Sequence, residues 1–404
     1  MALHNRPSLR ELLFGIGRLV SSDMALAHEW LDVRAGSEKC FEQLAAAFPE
    51  ADLYALSNDL GSGFDSGGRP VRTTFVPRLP VIRARRPLAL PLMPLAWRWS
   101  TRQRYDKVLT SSHACVKGFR PGREAEHYSY CYTPMRYVWD SHDVRNSLHR
   151  LASFGPVPAM RAWDRRSVKW VDHFAAISTA VQERIGRYYE REACVIHPPV
   201  DTSFYTPVHS DDVSEEPSGL PGGPFVLTCS RFIPYKRLDL AIRAADRVGL
   251  PIVVAGHGPG EAALRHVAEQ VRVPVIFEVS PSNERLRTLY RMASTFAFPA
   301  LEDFGIVAVE AQACGTPVVG IAAGGSLDTI ADGVSGVLAA NQDEVALADA
   351  LSRSLSLDPQ ACVDHASNFS HSEFGRRIQA WVTGNDSTDA GRTVDHLEAE
   401  CPSL

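Results

Sequence analysis

Short apolar runs recur along the chain at spacings typical of alternating strands and helices. In the N-terminal half, the predicted strands are residues 24–28, 52–56, 107–110, 127–132 and 174–177, and a helix is predicted over 37–48. In the C-terminal half, the predicted strands are 225–229, 251–255, 275–277, 295–298 and 317–319, and a helix is predicted over 373–382. This alternation predicts an α/β fold with parallel sheets covered by helices.

Polar stretches divide the chain into predicted domains. Residues 209–223 are rich in Gly, Pro and acidic side chains and predict a linker, and residues 384–404 predict a mobile tail. We therefore expect an N-terminal Rossmann-like domain over 23–208 and a C-terminal one over 224–369. A helix at 370–383 is expected to return to the N-terminal domain.

Residues 1–22 predict a leader helix. Ser8 and Glu11 form a capping-box pattern, and apolar residues from Leu9 to Val20 lie near one helical face. Two interpretations stay open, a helix packed on the protein and a helix lying in a membrane interface. Met24 is an alternative start, because the first strand begins there.

Composition narrows the class of protein. Hydrophobic residues make up 45% and charged residues 22% of the 404 residues, which is ordinary for a soluble globular protein large enough for two cores. The net charge of -5 gives no reason to expect nucleic-acid binding. No apolar stretch approaches the roughly 18 residues of a membrane-spanning helix. The eight cysteines are scattered without a Cys-x-x-Cys pair, which favours a cytoplasmic, reducing location.

The strongest chemical signal is the segment 302–310, Glu-Asp-Phe-Gly-Ile-Val-Ala-Val-Glu, which follows a predicted strand. Phe304 and Gly305 open a predicted helix whose first amides favour an anion, and Gly305 lets a phosphate approach the backbone. Glu302 would lie at the carboxyl end of the strand, where open α/β sheets bind ligands. Glu310, about two turns into the helix, would reach ribose hydroxyls. By themselves, these residues also fit an acidic loop followed by an ordinary helix.

Arg231 and Lys236 follow the first predicted strand of the C-terminal half. Two cations at a strand end suit a diphosphate, whose charge grows as a glycosidic bond breaks. A solvated basic loop is the alternative. Gly256 and Gly258 lie in a turn after the next strand, but Glu261 stands where a dinucleotide fingerprint has its third glycine. This departure disfavours a nicotinamide dehydrogenase.

Together, these motifs resemble those of the GT4 family of retaining glycosyltransferases. That family has the GT-B fold, in which two Rossmann-like domains face each other across a cleft. The resemblance covers nearly the whole chain and is most specific in the C-terminal half. It implies that Glu302 contacts the donor sugar, that Glu310 contacts the ribose, and that Arg231 and Lys236 bind the pyrophosphate.

The resemblance implies further donor contacts. Those in the C-terminal half are Gly256 and Gly258 in a turn near the nucleotide, Val279 and Ser280 in the loop around the base, and Phe304, Gly305 and Ile306 at the helix start. In the N-terminal half, Gly36 corresponds to the family's Gly-Gly loop beside the donor phosphates, although Ala35 stands at the other glycine position.

His113 follows the predicted strand at 107–110, and a lone histidine is otherwise more often structural. It matches the family's interdomain histidine, which contacts the donor sugar and orients the reaction. Residues 132–140 resemble a segment of mannosyltransferases that make surface polysaccharides. Arg136 and Asp140 are therefore candidate contacts with donor or acceptor, and a buried ion pair is the alternative.

The resemblance implies transfer with retention, from a nucleotide-diphosphate sugar to a glycan or a polyprenyl-diphosphate-linked acceptor. GDP-mannose is the expected donor, and a UDP-sugar is the alternative. No Asp-x-Asp motif occurs, and Arg231 and Lys236 supply positive charge, so we expect no metal or other cofactor. A non-catalytic sugar-nucleotide-binding protein and a UDP-sugar epimerase of the same fold are the remaining alternatives.

Residues 66–105 contain nine arginines and no acidic residue, and an apolar run from Pro87 to Trp97 lies within them. Basic charge beside apolar residues favours peripheral contact with an anionic membrane at the cytoplasmic face, or with a polyprenyl diphosphate. A surface loop with one buried helix is the alternative.

Overall fold

A computed structural model describes residues 22–78, 92–101, 103–120, 124–139, 156–208 and 219–384. Several sequence predictions lie outside these residues. They are the leader helix up to residue 21, most of the basic apolar run before Leu92, Asp140, the first part of the linker and the tail after Gly384.

The N-terminal half forms one sheet of seven parallel strands. These are β1 (Met24–Leu31), β2 (Asp52–Asn58), β3 (Val71–Thr73), β4 (Lys107–Ser112), β5 (Glu126–Cys131), β6 (His173–Ala176) and β7 (Cys194–Val195). Their order is β3-β2-β1-β4-β5-β6-β7. The chain therefore leaves β1 toward one edge and returns to β4 on its other side, which is the topological switch point where open α/β sheets bind ligands.

The C-terminal half repeats this arrangement with six parallel strands. They are β8 (Val226–Arg231), β9 (Ile252–His257), β10 (Val275–Val279), β11 (Thr295–Phe298), β12 (Val318–Ile321) and β13 (Gly336–Ala339). Their order is β10-β9-β8-β11-β12-β13, so the switch point lies between β8 and β11. The structure confirms the predicted GT-B-like α/β architecture of two parallel sheets.

Helices connect the strands of both sheets. They are α1 (Gly36–Ala47), α2 (Met93–Arg98), α3 (Arg136–Trp139), α4 (Pro156–Ser167), α5 (Thr179–Tyr189), α6 (Leu238–Val248), α7 (Glu261–Ala268), α8 (Asn283–Met292), α9 (Ile306–Ala313), α10 (Ser326–Thr329), α11 (Glu344–Ser354), α12 (Pro359–Ala366) and α13 (His371–Thr383). The predicted strands are all present with ends shifted by a few residues, and the predicted helices at 37–48 and 373–382 are α1 and α13.

The central strands contain buried apolar runs because helices cover both faces of a parallel sheet. Residues 25–27 of β1 and 252–255 of β9 are completely buried. Burial of such side chains supplies roughly 1.5–3 kcal/mol each. The same run of apolar positions therefore both identifies the strands in the sequence and stabilises the two cores.

The last helix, α13, packs on the N-terminal domain, as the sequence analysis expected. Lys107 Nζ donates to the carbonyl of Val382 at 2.6 Å, and Gln379 Nε2 donates to the carbonyl of Ala47 at 2.7 Å. The Trp381 ring lies edge-on to Tyr128, with ring centroids 5.1 Å apart. These contacts join the end of the described chain to its first domain.

Candidate functional site

The candidate residues gather at the carboxyl ends of the strands that flank the two switch points. Gly36 follows β1, His113 follows β4, Lys236 follows β8 and Glu302 follows β11. The starts of α1 and α9 meet here: a Cβ placed on Gly36 would lie only 2.9 Å from Cδ1 of Ile306. The first-turn amides of a helix have no acceptor within the helix itself, so both of these helix starts favour an anion in the space between them.

Lys236 and Glu302 form an ion pair across the C-terminal switch point. Lys236 ends a 3-10 turn that begins at Pro234, and Nζ contacts Oε1 of Glu302. Lys236 is buried, whereas the Glu302 side chain is 23% exposed. The predicted convergence of a lysine on the 302–310 segment is therefore present in the structure.

Arg231 lies at the end of β8 and is exposed. Its Nη2 is 3.5 Å from the hydroxyl of Tyr235, at the limit of a hydrogen bond. Among the hydrogen bonds and ion pairs of the described residues, none joins Arg231 to Glu302 or Glu310. Lys236 thus contacts the motif directly, and the role of Arg231 at a pyrophosphate stays a prediction.

The turn from Glu302 to Gly305 needs glycine on both sides. Gly305 has φ +100°, and a Cβ there would lie 2.8 Å from the Phe298 ring. The Gly325 N–H donates to the carbonyl of Glu302 at 2.8 Å, and a Cβ on Gly325 would lie 2.3 Å from Cα of Phe304. Side chains at these glycines would displace the loop, so the close approach sets the height of Glu302 above the sheet.

Glu310 points into a buried space beneath the switch point. It is 6% exposed, and the Tyr290 hydroxyl donates to its Oε2 at 3.2 Å. Burial raises the pKa of Glu310, and the positive charge of Lys39 on α1 partly opposes that rise. The Glu310 carboxyl is therefore fixed by a tyrosine, and its predicted contact with a ribose stays a prediction.

Gly256 and Gly258 have a packing reason in addition to the predicted donor role. Their φ angles are +131° and +149°. A Cβ would lie 1.9 Å from the Ser230 carbonyl oxygen at Gly256 and 2.8 Å from the Phe232 carbonyl oxygen at Gly258. The two glycines therefore let the end of β9 lie directly against the segment that carries Arg231.

The loop after β10 holds the predicted base contacts. Ser280 has φ +52°, an uncommon conformation for a residue other than glycine, and its N–H donates to the Gly256 carbonyl at 2.9 Å. Val279 is 47% exposed beside it. Strained residues cluster at ligand sites, which agrees with a binding role for this loop.

His113 sits at the end of β4 with its ring partly exposed. The ring lies edge-on to Trp30, with centroids 4.8 Å apart at 90°. Burial, with a smaller contribution from His28, lowers the pKa of His113 to about 3, so the ring is neutral near pH 7. Its Nδ1 is buried and has no hydrogen-bond partner among the described residues. A neutral ring of this kind offers one donor and one acceptor to a hydroxyl.

A buried carboxylate, which sequence reasoning missed, holds the His113 loop. Glu29 Oε1 accepts from the N–H groups of Ala114 and Val116 at 2.7 and 2.9 Å. Burial raises the pKa of Glu29, opposed by these backbone hydrogen bonds and by Lys117. The signal in the sequence was an acidic residue inside an otherwise apolar strand.

Arg136 forms an ion pair, which was the alternative to a contact with donor or acceptor. Its Nη2 lies 2.7 Å from Oδ2 of Asp303, and Arg184 contacts Oδ1 of the same carboxylate. Arg136 therefore reaches the 302–310 segment, through the residue next to Glu302. Whether Arg136 also contacts donor or acceptor stays a prediction.

Within the described residues, no helix has the length and apolar character needed to cross a membrane. No three His, Cys, Asp or Glu side chains of that part of the chain cluster so that they could hold a metal ion. In the basic segment, the described helix α2 buries Trp97 and leaves Leu95 and Trp99 exposed at 41% and 66%. Of the six residues of α2, the buried ones are Met93, Ala96 and Trp97. Membrane contact of the basic segment stays a prediction.

Part of the chain is similar to known glycosyltransferases. The family Glycosyl transferases group 1 matches residues 211–370. The chain is 39% identical over 191 residues to the D-inositol 3-phosphate glycosyltransferase of Mycolicibacterium smegmatis, covering 44% of each chain. It is 36% identical over 217 residues to that of Mycolicibacterium gilvum, covering 50% of this chain and 48% of the relative. The matches thus span less than half the length of these relatives.

Solved structures share the fold over most of the chain. Anabaena HepE in complex with UDP has a TM-score of 0.67 at 18% identity and covers 89% of this chain and all of its own. Sucrose-phosphate synthase from Thermosynechococcus elongatus has a TM-score of 0.65 at 18% identity and covers 88% and 98%. These likenesses confirm the GT-B fold, and the family match covers residues 211–370, which is less than half of the chain.

Proposed function

We propose that the protein is a retaining glycosyltransferase that binds a nucleotide-diphosphate sugar between its two sheets. One observation carries the proposal. The Lys236–Glu302 ion pair lies at the C-terminal switch point, and the start of α9 touches the start of α1 from the other domain. This is the place where a cation, two helix N-termini and a sugar-binding carboxylate all reach one diphosphate sugar.

Each group has a role in the proposed transfer. Lys236 neutralises the diphosphate, and the first amides of α9 at Ile306 and of α1 at Gly36 donate to its oxygens. Glu302 accepts hydrogen bonds from hydroxyl groups of the donor sugar. Arg231 adds charge from the exposed end of β8, and Glu310 binds the ribose.

The proposed step retains the anomeric configuration. The bond between the sugar C1 and the diphosphate oxygen breaks, and the acceptor oxygen bonds to C1 on the same face. The acceptor proton passes to the departing phosphate oxygen. Positive charge spreads over C1 and the ring oxygen in between, and the neutral His113 hydrogen-bonds to a sugar hydroxyl without adding repulsion.

The donor base and sugar form the finer part of the proposal. The resemblance of residues 302–317 and 132–140 to GDP-mannose-using enzymes favours GDP-mannose. A UDP-sugar is the alternative, supported by HepE, whose solved structures contain UDP and UDP-glucose. For the acceptor we propose a glycan or a lipid-linked sugar at the cytoplasmic face, and D-inositol 3-phosphate belongs in the test because of the mycobacterial relatives.

Two measurements test the function. A thermal-shift panel of GDP-, UDP-, ADP- and dTDP-sugars identifies the donor, because a ligand at about 100 times its Kd adds about 2.7 kcal/mol of stability. Transfer from that donor to a panel of glycans, lipid-linked sugars and D-inositol 3-phosphate is then followed by NMR of the anomeric proton. We expect a retained configuration and full turnover in EDTA.

The same measurements contain the contradicting outcomes. An inverted product would exclude the same-face step. A donor that binds but only changes into another sugar nucleotide, with no acceptor present, would indicate the epimerase alternative. A result in which the unmodified protein binds the donor but is as inactive as Lys236→Ala would indicate a sugar-nucleotide-binding protein.

A further inference from the structure

The loop that carries Glu302 is held from two directions by two adjacent carboxylates. Glu302 pairs with Lys236 inside the C-terminal domain. Asp303, the next residue, forms ion pairs with the opposite domain, through Arg136 at the start of α3 and Arg184 within α5. Two adjacent acidic residues are therefore each held by a different domain, at the point where the donor sugar is proposed to lie.

The Asp303 contact is a specific clamp. Each of its two oxygens receives one guanidinium, Oδ2 from Arg136 at 2.7 Å and Oδ1 from Arg184. The Asp303 side chain is 12% exposed, and those of Arg136 and Arg184 are 33% and 31% exposed. Charge-assisted hydrogen bonds that are partly screened from water are strong and fix orientation. Ordinary surface pairs are more exposed and contribute little.

Further contacts from the N-terminal domain reach Asp328 on the neighbouring helix α10 and Phe304 in the loop itself. The hydroxyl of Thr179 donates to Asp328 at 2.8 Å, and His197 Nε2 lies 3.2 Å from the same carboxylate. The His197 ring stacks on Phe304, with centroids 5.6 Å apart at 28°. The loop thus rests between a guanidinium pair on one side and an imidazole on the other.

We propose that Asp303 is a positioning residue, which ties the sugar-binding Glu302 to the domain that carries His113 through Arg136 and Arg184. The proposal rests on the proposed function, because it assigns Glu302 and His113 to one donor sugar. Lys236 and α9 would bind the donor without the clamp. The clamp sets where the bound sugar lies relative to the acceptor side, so Asp303 acts on turnover more than on donor binding.

The test compares Asp303→Asn, Asp303→Glu and Asp349→Asn. Asparagine keeps the shape but removes the charge, and glutamate restores it on a longer side chain. Asp349 is the matched control, because it also pairs with an arginine, at 3.0 Å from Arg353, but on the exposed face of α11. For each protein we measure the Kd of the donor nucleotide, kcat, and deuterium exchange of peptides covering 299–305 and 179–189.

For Asp303→Asn we expect a donor Kd within about twofold of the unmodified protein and a kcat about tenfold to a hundredfold lower, the scale of a small misplacement at a reacting centre. Exchange should accelerate in both peptides, Asp303→Glu should recover part of kcat, and Asp349→Asn should change nothing.

Unchanged exchange and unchanged kcat in Asp303→Asn would overturn the inference. A large loss of donor affinity with unchanged exchange would also overturn it, because Asp303 would then contact the donor itself. If the unmodified protein transfers no sugar, the proposed function fails, while the exchange data still decide whether the clamp exists.

Discussion

Glu29 provides a sharp test of how the fold positions His113. One substitution removes its two hydrogen bonds from backbone N–H groups, and another keeps the acceptor but removes the charge. The side chain is completely buried in β1, and a single oxygen, Oε1, accepts both the Ala114 and the Val116 N–H groups. Glu29→Ala removes that oxygen. Glu29→Gln keeps an oxygen of the same reach and removes only the charge.

The magnitudes follow from these contacts. Glu29→Ala leaves two buried N–H groups without their acceptor, at about 1–3 kcal/mol each, so about 2–6 kcal/mol in the free energy of unfolding. The Gln variant has nearly the same shape and keeps an acceptor for both N–H groups, so we expect it to lose less free energy of unfolding than Glu29→Ala. Burial also raises the pKa of Glu29, so ionisation works against the folded state. The protonated form of Glu29 is therefore favoured in the folded state. As pH rises from 4.5, the ordinary pKa, through the raised pKa, the free energy of unfolding of the unmodified protein falls, and that of the Gln variant does not.

Urea unfolding of both variants, followed by tryptophan fluorescence, measures the difference, and kcat reports the position of His113. We expect Glu29→Gln to unfold near the midpoint of the unmodified protein and to keep most of its activity. Glu29→Ala should unfold at clearly lower urea and lose activity even where it remains folded. Equal midpoints for the two variants would refute the idea that backbone acceptance by Glu29 holds the loop.

Three other perturbations test the site. The C2 proton of His113 should keep a constant NMR shift from pH 8 to 5, because its pKa is lowered to about 3; a titration near 6.5 would contradict the neutral ring. Lys236→Ala should lower kcat about 100-fold to 1,000-fold, as loss of an oxyanion donor does, and unaltered steady-state kinetics would exclude its role. Gly325→Ala should abolish donor-induced thermal shifts, since its Cβ would lie 2.3 Å from Phe304, whereas Gly186→Ala, in open space on α5, should retain them.

The central strands could be predicted from the sequence because each carries its own signal. The apolar runs of β1 and β9 are long enough to stand out, and both are covered by helices on each side. The edge strands β3 and β7 were missed. Val71–Thr73 has three residues and Cys194–Val195 has two, and strands this short have no measurable alternation. Their existence depends on a neighbouring strand that offers hydrogen bonds.

The local residues of the site were only partly informative. Lys236 and Glu302 each follow a strand end, but they were selected through their resemblance to GT4 motifs, because the residues alone also fitted a solvated basic loop and an acidic loop before a helix. For Gly256 and Gly258 the sequence predicted only a donor contact. It did not reveal that both glycines have a positive φ and pack closely against the backbone of Ser230 and Phe232. A glycine's sequence neighbours do not reveal which backbone lies against its Cα.

The contacts between domains were beyond the sequence for a physical reason. Arg184 and Asp303 are 119 positions apart, and nothing within either segment specifies the other. Arg184 lies on α5 after β6 and Asp303 follows β11, so their contact depends on the packing of one domain against the other. An isolated acid in a ligand-binding loop is ambiguous, since it fits a ligand contact and an ion pair equally. The structure resolves this ambiguity through the observed partners: Glu302 pairs with Lys236 of its own domain, and Asp303 pairs with Arg136 and Arg184 of the other.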